Sequence, residues 1–294
     1  MMDVFNLASF IRGAMDQLKH REYVKQRFGI RYPGSHDPIW VLPTRGRPEQ
    51  FKASVEAVRD AGMTTRCVVI DDEESPSDPG MELELPGNFA YVRARADLTT
   101  ALEAVYQAFP NAKCYGVLAD DLRPQTPSFD WALEDVAGHW LLADCEGGYV
   151  SRIAPHEALP VALDGAFCWG GQLVRAVGRL TLPPGIRQGG NDDAWTHLTQ
   201  KVIETQVRTE DINGHRVLVR GLRAKAVDVR VDHHNWRTGK RPKDDTDEWV
   251  RDGVPYIEHD FAELNRWKQS GAPEELARQL EAVPAVADWL RGHT

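Results

Sequence analysis

The feature that most constrains this chain is a strand–helix–strand unit near its start. Residues 39–42 form a short apolar run. Residues 49–61 carry helical apolar spacing and end at Gly62, and residues 67–70 are a second short, β-branched run. Two strands joined through one helix pair in parallel, so the chain must build a sheet covered by helices. The pattern recurs with a strand at 89–92, a helix at 98–108 and a strand at 114–118. Beyond Pro124 it becomes irregular. Helices are expected at 129–137 and 192–204, and strands at 140–143, 166–169 and 225–231. Segments 261–269, 273–280 and 284–291 read as a helical tail broken by Gly271 and Pro284. Val4, Leu7, Phe10, Ile11, Met15 and Leu18 place one amphipathic helix in residues 3–28. The expected organisation is a helical extension (1–36), one α/β domain (37–255) and a helical cap (256–294).

A chain of 294 residues with 42% hydrophobic side chains is long enough for one sizeable core. Its four cysteines, Cys67, Cys114, Cys145 and Cys168, are widely spaced and lack a CxxC pair. They read as buried, reduced thiols of a cytoplasmic protein, not as a disulfide or zinc framework. No run approaches the ~18 apolar residues of a membrane span, and the first residues lack the pattern of a secretion signal. The net charge of −9 disfavours a protein that coats nucleic acid or anionic lipid. That charge is local, however. Residues 71–84 hold seven acids and no Lys or Arg, so the rest of the chain is nearly neutral. Local contact with nucleic acid stays open.

Polar residues collect where the strands end, which is where open α/β sheets bind ligands. The first strand runs into Pro43-Thr44-Arg45-Gly46-Arg47, the second into Asp71-Asp72, the fourth into Asp120-Asp121 and the late strand into His233-His234. Singly, a strand-end Asp is an ordinary cap or turn former. Together, two arginines, four aspartates and a histidine on one edge suit an anionic ligand held with a hard divalent cation. Asp192 and Asp193 open a helix after Gly189-Gly190. That is a favoured place for acids on capping grounds alone, and one where the helix dipole lowers a carboxylate pKa.

The segments VLPTRGRPE (41–49), VVIDDEES (68–75), YGVLADDL (115–122), FCWGG (167–171), GNDDAW (190–195) and VDHHNWRTGKRPKD (231–244) resemble GT-A nucleotide-sugar glycosyltransferases of the family 2 type. Small phage-encoded relatives often show a similar histidine followed by Gly-Lys and an Asp, here Gly239-Lys240 and Asp244. The resemblance spans about two-thirds of the chain, residues 39–244. It implies a GT-A, Rossmann-like, mixed but mainly parallel sheet flanked by helices. It also implies transfer of a sugar, with inversion, from a nucleotide-diphosphate donor such as a UDP-sugar to an acceptor hydroxyl. In that reading Pro43, Thr44, Arg45 and Arg47 border the nucleotide, and Asp71 or Asp72 contacts its base or ribose. Asp121 and His233 hold Mn2+ or Mg2+, with His234 the alternative histidine and Asp120 nearer the ribose. Gly170 and Gly171 approach the donor sugar, and Asp192 or Asp193 is the base. Lys240, in a basic run at 237–243, closes over the diphosphate. The acceptor is a hydroxymethylated pyrimidine in DNA, a surface glycan or a small molecule, and a phage enzyme would act in the host cytoplasm. The rival readings are a nucleotidyltransferase, against which the single glycine of PTRGRPE counts, and a non-catalytic scaffold. Oligomeric state is left open.

Overall fold

The computed structural model describes residues 3–26, 37–78, 84–138, 140–147, 166–234, 242–244 and 255–292. In chain order the elements are α1 (Val4–Gln26), β1 (Ile39–Thr44), α2 (Pro48–Asp60), β2 (Cys67–Asp72), β3 (Phe89–Ala94), α3 (Leu98–Ala108), β4 (Cys114–Leu118), β5 (Leu122–Pro124) and α4 (Phe129–Ala137). Next come β6 (Leu142–Glu146), β7 (Ala166–Gly170), α5 (Gly171–Val177), α6 (Asn191–Thr196) and a π-helical segment (His197–Val202). The chain continues through β8 (Arg208–Ile212), β9 (His215–Arg220), β10 (Arg223–His233), α7 (Pro255–Gln269), α8 (Ala272–Glu281) and α9 (Pro284–Gly292).

The strands form one sheet in the order β3-β2-β1-β4-β7-β6-β10-β9-β8, with β5 paired to β10. Strands β1 to β4, β6, β8 and β10 run one way, and β5, β7 and β9 run against them. This is the mixed, mainly parallel, helix-flanked sheet expected from the sequence. β1, β2 and β4 are almost wholly buried, as strands covered on both faces must be. α1 packs on α3 and β3. A single cluster of buried apolar side chains runs from Leu7 in α1 to Val286 in α9. All four cysteines are buried and free, as expected.

Four elements, β5, α5, β8 and β9, were not expected from the sequence, and two expected ones take a different course. The helix expected at 192–204 is an α-helix only to Thr196 and then widens into the π segment. The Thr199 carbonyl there accepts the Leu222 amide of a neighbouring loop (2.9 Å), a use that competes with regular i→i−4 bonding. The strand expected at 140–143 lies at Leu142–Glu146. Its centre is a buried acid: Asp144 is fully enclosed and pairs with the equally enclosed Arg223 at 2.7 Å, a pairing that apolar periodicity does not reveal. The β8–β9 hairpin turns on Asn213-Gly214, both at positive φ, the preferred dipeptide for a tight hairpin.

Candidate active site

The C-terminal ends of β1, β2 and β4 and the start of α3 enclose a cleft of about 200 Å³. Its walls include Pro43, Thr44, Arg45, Arg47, Asp72 and Asp120 from the predicted set, joined by Asp97 and Gln188. The loops after β1 and β2 are tied together. Ser77 Oγ meets Thr44 Oγ1 at 2.6 Å and accepts the Arg47 amide at 3.1 Å. Thr44 Oγ1 also donates to Asp120 Oδ2 (2.8 Å), and Arg47 NH1 reaches Asp120 Oδ1 at 3.1 Å. Burial pushes the Asp120 carboxyl up to about 6 despite the pull of Arg47, with Asp121 adding to the rise. The two aspartates after β2 divide their work. Asp72 faces the cleft and pairs with Arg45. Asp71 is spent on the protein, accepting the Ser77 and Asp78 amides (2.7 and 3.1 Å) and the Tyr91 hydroxyl (2.6 Å).

Asp121 sits where two strands cross-brace. In the antiparallel β5–β10 ladder His233 pairs with Leu122, and the His234 amide donates to the Asp121 carbonyl at 2.7 Å. This register holds His233 Nε2 3.2 Å from Asp121 Oδ1. Among the described residues no group of three or more His, Cys, Asp and Glu side chains converges on one point. The pair nevertheless fits a hard divalent ion. Neighbouring ligands of an octahedral Mg2+ or Mn2+ stand roughly 3 Å apart, and such ions take only one or two protein groups when phosphate and water supply the rest. Of the two histidines, His233 is the one whose ring lies beside the Asp121 carboxylate at 3.2 Å.

Asp192 and Asp193 are the second and third residues of α6 and are largely buried. The dipole argument predicts a low pKa, and for Asp192 the opposite holds. Desolvation and the neighbouring Asp193 push it up to about 6, while backbone hydrogen bonds and Arg223 pull the other way. A helix of six residues offers little dipole to offset this. Arg223 itself donates to Asp144, Thr196 and Gln200. Beside it, Lys225 pairs with Glu146 at 3.3 Å.

Gly170 and Gly171 are not at this edge. β7 runs antiparallel to β4, and its register sets Gly170 opposite Cys114, at the start of β4, while Ala166 lies opposite Leu118. Four residues of strand, roughly 13 Å, separate those levels. Gly171 serves packing instead: a Cβ there would fall 2.0 Å from the Ala112 carbonyl oxygen. Lys240 lies outside the described residues. Asp244, just beyond the basic run, reaches back to Arg47 Nε at 3.3 Å. Gln188, Asp97, Asp144, Arg223, Lys225 and Glu146 were missed from sequence. An acid three residues ahead of Thr100 signals the cap that Asp97 provides to α3 (2.8 Å), but nothing local marks the others.

No protein-family model matches the chain, and no curated protein matches it significantly. Among solved structures it is similar to GalNAc-T7 with UDP, GalNAc and Mn2+, at 12% identity and a TM-score of 0.48, covering 86% of this chain. The chain spans only 57% of that protein's length. It is also similar to glucosyl-3-phosphoglycerate synthase from Mycobacterium tuberculosis in complex with Mg2+ and UDP, at 16% identity and a TM-score of 0.48, covering 84% of this chain and 83% of the other. A nucleotidyl transferase from Methanothermobacter thermautotroptrophicus matches 53% of this chain and 79% of its own, at 17% identity and a TM-score of 0.34. Likeness at this level leaves the functional reading to the cleft itself. Among the described residues no helix is long and apolar enough to cross a membrane.

Proposed function

We propose that this chain is a metal-dependent GT-A glycosyltransferase that moves a sugar from a nucleotide-diphosphate donor, a UDP-sugar, to an acceptor hydroxyl with inversion. The observation that carries the reading is the Asp121–His233 pair, braced by the β5–β10 ladder on the sheet edge that also bears the cleft lined by Arg45, Arg47, Asp72 and Asp120. A cleft with arginines and carboxylates, next to two ligands suited to Mn2+ or Mg2+, fits a nucleoside diphosphate better than an uncharged metabolite. Residues 37–255 would form the catalytic domain, with 1–36 as extension and 256–294 as cap.

In this mechanism Asp72 and Asp120 bind the nucleoside, and Arg45 and Arg47 meet the negative charge that grows on the diphosphate as the glycosidic bond breaks. Asp121 and His233 would hold a divalent ion, which would neutralise part of that same charge. Asp192 or Asp193 takes the proton of the acceptor hydroxyl while its oxygen bonds to the anomeric carbon. A carboxylate held near 6 is ionised at neutral pH yet a stronger base than an ordinary one. The acceptor we infer, on the resemblance to small phage-encoded enzymes, is a hydroxymethylated pyrimidine in DNA, modified in the host cytoplasm. The base would be presented outside the helix stack.

The test is a panel of nucleotide sugars with modified DNA, glycan and small-molecule acceptors, with and without Mn2+. Metal-dependent release of UDP with a glycosylated acceptor supports the reading. Release of pyrophosphate would replace it with nucleotidyl transfer, and no turnover or UDP binding would leave a scaffold.

A further inference from the structure

The stretch 187–189 is held from two sides. Toward the sheet it completes the N-terminus of α3: the Arg187 carbonyl accepts the Thr99 amide (3.0 Å), and Gln188 Oε1 accepts the Leu98 amide (3.4 Å). With Asp97 on the Thr100 amide, three orphan donors of that helix are satisfied. From the other side comes Asp260 on α7, a carboxylate with no exposure to solvent. Its Oδ1 accepts the Arg187 amide at 3.1 Å, and its Oδ2 accepts those of Gln188 and Gly189 at 2.7 and 3.0 Å. One helical turn further on, Leu264 packs against Gly190, which turns the chain into α6 at a φ of +83°. A buried carboxylate carrying three consecutive amides is a strong, charge-assisted clamp. What it clamps is the wall residue Gln188. The Leu98 amide anchors the Oε1 end of the side chain, and the two Nε2 donors of Gln188 are available to a ligand.

We propose that Asp260 is a positioning residue that sets the Gln188 amide as a hydrogen-bond donor to the nucleoside of the donor substrate, so that the C-terminal helices help determine nucleotide affinity. The complementary ligand group is a pyrimidine carbonyl or a ribose hydroxyl. This rests on the cleft being the donor site.

The test is calorimetric titration of the full chain with UDP in the presence of Mn2+, run on the wild type, Gln188→Ala, Asp260→Ala and the double variant. One lost hydrogen bond to a ligand costs about a factor of ten in affinity, so each single variant should bind UDP about tenfold more weakly. The double variant should bind no more weakly than Asp260→Ala alone, because both changes remove the same interaction. Asp260→Asn, which keeps one acceptor oxygen, should fall between wild type and Asp260→Ala. A folded Asp260→Ala protein with wild-type UDP affinity, or losses that simply multiply in the double variant, would overturn the proposal while leaving the donor site intact. If Asp260→Ala does not fold, the same cycle is run with Asp260→Asn, and absence of coupling to Gln188→Ala overturns it. A wild type that binds no UDP would overturn the donor reading and this inference together.

Discussion

The two halves of the sheet solve different problems. The parallel half, β3-β2-β1-β4, is made of successive strand–helix units, and its polar residues follow directly from strand ends into one cleft. The mixed half, β7-β6-β10-β9-β8, carries its charge within strands and pairs it across long separations. Asp144 and Arg223 are 79 residues apart and fully buried, and His233 returns to Asp121 only through the β5–β10 ladder. The contrast shows where each property originates. The parallel half makes the hollow and pairs its own charges, Arg45 with Asp72 and Arg47 with Asp120, while the mixed half brings His233 to Asp121.

Substitutions sharpen that contrast. The largest effect is expected where the halves meet: Asp121→Ala should lower turnover by at least about 10³-fold, since it removes both a ligand and the partner of His233. Retained turnover would sever the two halves functionally. Asp192→Asn should lower kcat by about 10²- to 10⁴-fold with a much smaller change in donor KM, as for loss of a general base. In the wild type the acid limb of the kcat profile should fall near pH 6, because the carboxylate must be ionised to accept a proton. The raised pKa also carries a sign for stability. The folded state holds the proton more tightly, so this group's contribution favours folding below the ordinary carboxylate range and fades as pH rises through about 6. Asp192→Asn should therefore raise the melting temperature at pH 7, which a thermal scan would show, while lowering kcat as above.

Within the mixed half, Asp144→Ala strands the buried Arg223 charge and should cost about 3–5 kcal/mol of stability in chemical denaturation. In the parallel half, Arg47→Ala should weaken donor affinity about tenfold and also lower the melting temperature, because it takes a cation from the cleft wall and leaves the buried Asp120 without its partner. The smallest effect belongs to the exposed Arg278–Glu275 pair on α8. Arg278→Ala should stay within about 0.5 kcal/mol of wild type.

The parallel half was legible because each of its units is local. The runs at 39–42, 67–70, 89–92 and 114–118 all became strands, and α3 and α4 matched their expected bounds. The same locality exposed the cleft residues Pro43, Thr44, Arg45, Arg47, Asp72 and Asp120. The mixed half resisted because its determinants are pairings. The place of Gly170 and Gly171 depends on β7 being antiparallel to β4, which the residues FCWGG do not encode by themselves. Asp192 took its pKa from burial and Asp193 more than from its helix. Asp260 meets its three amides more than seventy residues back in sequence. The Asn213-Gly214 hairpin was different: its signal was present in the sequence and went unread.

The most direct test is titration of the wild type, Asp121→Ala and His233→Ala with UDP, each with Mn2+ and with chelator. The wild type should bind UDP at least about tenfold more tightly with Mn2+, and both variants should show only the weak, metal-independent affinity. UDP affinity that is the same with and without Mn2+, and unchanged by both substitutions, would contradict a metal-assisted nucleotide site at Asp121 and His233.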